Sequence, residues 1–155
     1  RRQERTHTWY NMFFRDGLEK EAVEVMQYMW TGKWPDNRAP GLESLTISGK
    51  KAEENVSIAA GSIQPARVVT GDPDKDDLRI EWNLLPVPEE FGAYAGQGET
   101  MPKPVKGFIQ SKENGQIKFE VPDKAGRNYR LFVYVYDGHG NVAVGNIPFY
   151  VRNIR

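Results

Sequence analysis

A change of hydrophobic period most constrains what this chain can fold into. It occurs across Thr31 to Gly41 (TGKWPDNRAPG), where two prolines and two glycines interrupt any helix. After Pro40 the apolar residues alternate. LRIEWNL places Leu78, Ile80, Trp82 and Leu84 on one side and Arg79, Glu81 and Asn83 on the other, the pattern of a strand with one buried and one wet face. GQIKFEVP repeats it with Ile117, Phe119 and Val121, and Pro122 ends the strand. YRLFVYVYDGHGNVAVGNIPFYV reads as two long strands around the turn Asp137 to Asn141, whose glycines supply the positive φ values of a hairpin.

Weaker alternation in ESLTISG, NVSIAA and PARVVT adds three strands, giving about seven. The expected fold is mainly β: an immunoglobulin-like β-sandwich of about seven strands with one N-terminal amphipathic helix. Trp82 should fill the space between the sheets. Tyr129, at the start of the penultimate strand, stands either at a tyrosine corner or simply among the core aromatics.

The helix is expected in DGLEKEAVEVMQYMW. Leu18, Ala22, Val25, Met26, Met29 and Trp30 form an apolar stripe, with Glu19, Lys20, Glu21 and Glu24 mostly opposite. Asp16 fits the N-cap and Gly32 the C-terminal cap. A helix of this length is marginal in water without a surface to pack on, so the stripe needs a cover: a preceding domain if the chain is a piece of a larger protein, and otherwise the sandwich, reached through Trp34, or a second copy.

Composition narrows the function classes. The 21 basic and 21 acidic residues cancel, so no overall field draws nucleic acid or an anionic membrane. The absence of cysteine removes disulfides, thiolate metal sites and cysteine nucleophiles. No apolar run approaches the roughly 20 residues of a membrane span. RRQERTHTWY has neither an initiator Met nor a signal-type apolar stretch, which suggests an excised or processed piece.

The densest potential chemistry is VVTGDPDKDDLRIEW, with Asp72, Asp74, Asp76 and Asp77 between two strands. Closely spaced carboxylates suit a hard cation such as calcium, which takes six to eight oxygen ligands. The stretch lacks the glycine and distal Glu of a helix-loop-helix calcium loop, and Asp-Pro followed by polar residues also turns a chain between strands. The turn is the preferred reading and calcium the alternative. No catalytic constellation is expected. His7 and His139 have no placed partner for a metal or triad, and acid pairs such as Glu89 and Glu90 carry no motif.

Aromatic residues in loops offer the remaining functional signal, because flat rings stack on pyranose faces. Trp34 in the linker and Phe91 and Tyr94 in a long inter-strand insertion are the candidate carbohydrate-binding residues, while Trp9 and Tyr10 lie further upstream. Trp34 could equally pin the linker to the sandwich.

APGLESLTISGKKA, VVTGDPDKDDLRIEW and the hairpin stretch resemble the C-terminal immunoglobulin-like modules appended to bacterial glycoside hydrolases, over roughly Pro40 to Val151. RQERTHTWYNMFFRDGLEKEAVEVMQYMWTGKWPDNRAP resembles the end of a TIM-barrel glycoside hydrolase, including its last helix. The resemblance implies a division into residues 1–35, the end of a catalytic domain, and residues 40–155, the module. It places the catalytic carboxylates upstream of Arg1, so hydrolase activity does not transfer to this chain. It further implies a secreted or periplasmic bacterial protein, with the preceding catalytic domain as partner. The expected function is a non-catalytic structural support or spacer, with carbohydrate binding by the loop aromatics as the alternative.

Overall fold

The computed structural model describes residues 12–88 and 102–153. Among the described residues eight strands form two four-stranded sheets. They are β1 (Gly41–Ile47), β2 (Ser57–Ala59), β3 (Ile63–Gly71), β4 (Arg79–Pro86), β5 (Ile109–Glu113), β6 (Gln116–Glu120), β7 (Arg127–Tyr136) and β8 (Val142–Arg152). One sheet has the order β1-β3-β6-β5 and the other β2-β8-β7-β4. Neighbours are antiparallel except β2, which runs parallel to β8. The order matches the ABED and CFG sheets of an immunoglobulin-like sandwich, with β2 added beside the last strand.

The alternation read from the sequence becomes the core. Leu84, Ile117, Phe119, Val121, Leu131, Val133, Ile147 and Phe149 are buried between the sheets, and Trp82 joins them at 9% exposure. Tyr129 is a core aromatic: its ring stacks on Phe149 at 5.8 Å, and its hydroxyl makes no hydrogen bond among the described residues. Gly145, paired with Val133, faces inward where a Cβ would come within 2.7 Å of Leu42 Cδ1. A side chain here would have to turn the end of Leu42 aside where β1 and β8 face each other.

The eighth strand is β5, absent from the sequence-based count. Its burial is confined to Ile109, which is half-buried, so it shows no alternation; backbone pairing to β6 defines it. Such a polar edge strand also discourages edge-to-edge association. Asn114-Gly115, with φ of 34° and 77°, joins β5 to β6 and is the sequence signal that marks this hairpin.

The helix is shorter than its periodicity predicts. α1 spans Glu21–Thr31, and Lys20, not Asp16, occupies the N-cap position without a side-chain cap. Asp16 instead lies in a short 3-10 turn at φ 60°. The cause is competition from the sheet. Glu19 N–H donates to Gly140 O at 2.9 Å and Glu19 O accepts from Val142 N–H at 2.8 Å, so this stretch extends β8 rather than a helix. Phe14 meanwhile covers the outer face of β7, with its ring centroid 4.9 Å from that of Tyr134. The C-terminal cap is as expected: Gly32 has φ 71° and donates to Tyr28 O.

The face of α1 is also reversed. Glu24, assigned to the polar side by periodicity, is buried at 5%, whereas Met29 and Trp30 of the apolar stripe are each 76% exposed. Ala22 and Val25 are exposed too, and Leu18 and Met26 are half-buried. Among the described residues no helix is long and apolar enough to cross a membrane.

Candidate functional site

The loop between β3 and β4 folds on Asp72. Its Oδ1 accepts the backbone N–H of Asp74 at 2.8 Å and of Asp76 at 3.3 Å, and its carbonyl accepts Lys75 N–H at 3.2 Å. Lys75 takes φ 69° to close the turn. A short acidic side chain that replaces missing backbone partners explains why Asp-Pro-Asp reverses the chain here.

Asp72, Asp74 and Asp76 each place a carboxylate oxygen within 4.8 Å of the others, while Asp77 stands outside the cluster and is exposed. Two oxygens, Asp72 Oδ2 and Asp76 Oδ2, are buried without a partner. The cluster is an acidic surface with partial capacity for a cation. Asp72 Oδ1 is committed to the turn and Asp74 Oδ2 to Arg38 N–H at 2.6 Å. A calcium ion here would have to draw the rest of its six to eight ligands from backbone carbonyls or water.

The cluster abuts two other segments. His139 Nε2 lies 3.7 Å from Asp76 Oδ1. Beside it the carboxylate of Asp137 is buried and accepts four hydrogen bonds: from His139 N–H, Asn141 N–H, Asn141 Nδ2 and Asn37 Nδ2, at 2.8–3.0 Å. Burial pushes the Asp137 pKa up, but the hydrogen bonds from His139, Asn141 and Asn37 outweigh it and hold the carboxyl below its ordinary value. This side chain ties the hairpin turn to the linker.

The linker is likewise tied to α1. Glu24 accepts from Arg38 Nη2 at 3.0 Å, from Arg38 Nε at 3.4 Å and from Ala39 N–H at 2.9 Å. The hydrogen bond to Glu24, then the negative charges of Glu24, Asp74 and Glu21, raise the Arg38 pKa against its partial desolvation. The Arg38 guanidinium lies 3.9 Å from the centroid of the Trp34 ring, and Tyr28 stacks on that ring at 4.4 Å and 13°. Protein partners thus occupy the π-surface of Trp34 that a sugar would need. Phe91 and Tyr94 lie outside the described residues, as do Trp9, Tyr10, His7, Glu89 and Glu90.

At the opposite end of the sandwich, a cleft of about 510 Å³ is lined by Ala125, Gly126, Tyr150, Arg152 and Asn153. Among the described residues its lining holds no carboxylate, and the Asp cluster lies elsewhere. Sequence reasoning passed over Tyr150 and Arg152, although the alternation Ile147, Phe149, Val151 already sends both to the wet face of β8.

No protein-family model matches the chain, and no curated protein matches it either.

Proposed function

We propose that this chain is a non-catalytic accessory β-sandwich of a larger carbohydrate-active enzyme, a glycoside hydrolase by resemblance, and that it braces or spaces the catalytic domain. The observation that carries the reading is the orientation of α1. A helix held to the linker through a buried carboxylate turns Val25, Met29 and Trp30 to solvent. Covering a side chain such as Met29 is worth about 1.5–3 kcal/mol, so the face suits a protein surface. The preceding catalytic domain is that surface, because α1 lies on the N-terminal side of the sandwich. A secreted or periplasmic bacterial location belongs to the same reading. Separation of the acidic cluster from the cleft favours this role over catalysis, since hydrolysis needs two carboxylates facing one bound sugar.

The test compares Trp30→Glu in this chain and in the longer enzyme that carries it. In the isolated chain the melting temperature should be unchanged and sedimentation monomeric. In the longer enzyme the same change should separate one cooperative transition into two. A Trp30-dependent dimer of the isolated chain, or an unaltered transition in the longer enzyme, would refute the assignment.

A further inference from the structure

The cleft at the end of β8 combines an exposed ring with uncommitted polar groups. Tyr150 is 44% exposed, and Arg152 and Asn153 are exposed beside it. Residues 150 and 152 point to the same side of the strand, so ring and guanidinium stand roughly 7 Å apart along it. Neither the Tyr150 hydroxyl, the Arg152 guanidinium nor the Asn153 amide has a hydrogen-bond partner among the described residues.

The backbone beneath them is fixed. Tyr150 N–H donates to Val56 O at 2.9 Å, Arg152 O accepts Ala60 N–H at 3.0 Å, and Gly126 N–H donates to Val151 O at 2.8 Å. β2 and β7 flank this stretch as its sheet neighbours, and Ala125 packs against the core. Groups held on paired strands need little ordering to receive a ligand.

We propose that this cleft binds an oligosaccharide containing uronic acid. The Tyr150 ring stacks on the apolar face of a pyranose, Arg152 pairs with the C5 carboxylate, and Asn153 hydrogen-bonds a ring hydroxyl. Among the described residues Arg152 carries the only charge in the lining, which matches one carboxylate per residue. A phosphoryl group brings up to two charges and favours several cations or a cluster of backbone N–H donors. A neutral sugar would use the guanidinium only as a donor to hydroxyls and leave its charge unmatched. The open shape suits a chain passing across rather than an enclosed monosaccharide.

The site also fits the molecule's polarity. β7 and β8 pair from Tyr136↔Val142 to Arg127↔Val151, which separates the cleft from the end that carries α1 by roughly 30 Å. A module attached at one end presents its ligand site at the other. The inference rests on the proposed function for its ligand class, carbohydrate, while the residues that test it are remote from α1.

The experiment titrates the isotope-labelled 155-residue chain with oligogalacturonate, and in parallel with the same oligosaccharide as its methyl ester. Oligogalacturonate should shift the amide resonances of residues 125–126 and 150–153. Tyr150→Ala and Arg152→Gln should each weaken binding roughly tenfold or more, and esterification should weaken it about as much as Arg152→Gln. Both sites are exposed, and unchanged melting temperatures will show that the variants fold. Trp30→Glu, at the other end, should bind as the parent does; if its transition test above fails while this titration succeeds, only the bracing role falls. Absence of shifts at the cleft, equal affinity for the neutral ester, or full affinity in Arg152→Gln would overturn the proposal.

Discussion

Replacing Glu24 tests the central feature of the N-terminal segment, a buried carboxylate that joins a helix to a linker. Glu24→Ala removes the acceptor for Ala39 N–H, itself at a buried residue, and for the two Arg38 nitrogens. A buried donor left without a partner costs about 1–3 kcal/mol. The Arg38 side chain is 29% exposed, so water recovers most of its loss and the ion pair itself adds at most about 1 kcal/mol. The expected total is about 1–4 kcal/mol. Glu24→Gln keeps an oxygen for Ala39 N–H and should cost only about 1 kcal/mol. Urea denaturation followed by tryptophan fluorescence measures both, and the Glu24→Ala/Arg38→Ala double mutant should show a coupling of about 1 kcal/mol. An unchanged midpoint for Glu24→Ala would refute the reasoning, because α1 and the linker would then detach before the sandwich unfolds. Equal losses for Ala and Gln would show that the backbone donor at Ala39 does not carry the effect.

Trp82→Ala should cost about 3–5 kcal/mol in the same assay, as expected for a core indole; a loss below about 1 kcal/mol would mean that the sheets do not pack on it. For Asp137 the folded pKa lies below the ordinary 3.8, so its contribution is whole above that value and is lost as pH falls through and below it. Asp137→Asn should therefore destabilise the chain by about 2 kcal/mol at pH 7, and its difference from the parent should shrink toward pH 2; a gap independent of pH would contradict this. Millimolar calcium should leave the melting temperature unchanged, and a rise of several degrees that Asp74→Ala abolishes would establish a cation site at the Asp cluster. Deleting residues 1–35 removes the Glu19 hydrogen bonds to Gly140 and Val142 and the Phe14 cover on Tyr134. The remainder should unfold cooperatively at a lower midpoint in calorimetry, whereas loss of a cooperative transition would make the N-terminal segment integral to the domain.

The strands were legible wherever one face is buried and the other wet. Ile117, Phe119 and Val121 could be placed inward because side chains alternate strictly along an extended chain. The hairpin at Asp137–Asn141 and the cap at Gly32 were legible because positive φ is cheap for glycine. β5 was not: an edge strand that buries only part of Ile109 leaves no alternation to read. The acidic loop was legible as a turn, since Asp72 satisfies backbone donors only a few residues away. Its contacts with Arg38 and His139 were not, because those partners come from distant parts of the chain.

The sequence by itself therefore determined the secondary-structure periods, the inward set of the main strands and the sandwich class. Only the tertiary structure decided how α1 faces, why it starts at Glu21, and what occupies Trp34. Periodicity tells which side chains share a face but not which face meets the protein. That choice was made by distant partners, with Gly140 and Val142 drawing Glu19 into the sheet and Arg38 and Ala39 making Glu24 the buried anchor. A carboxylate can enter an interior only where donors await it, and those donors come together only when the chain has folded.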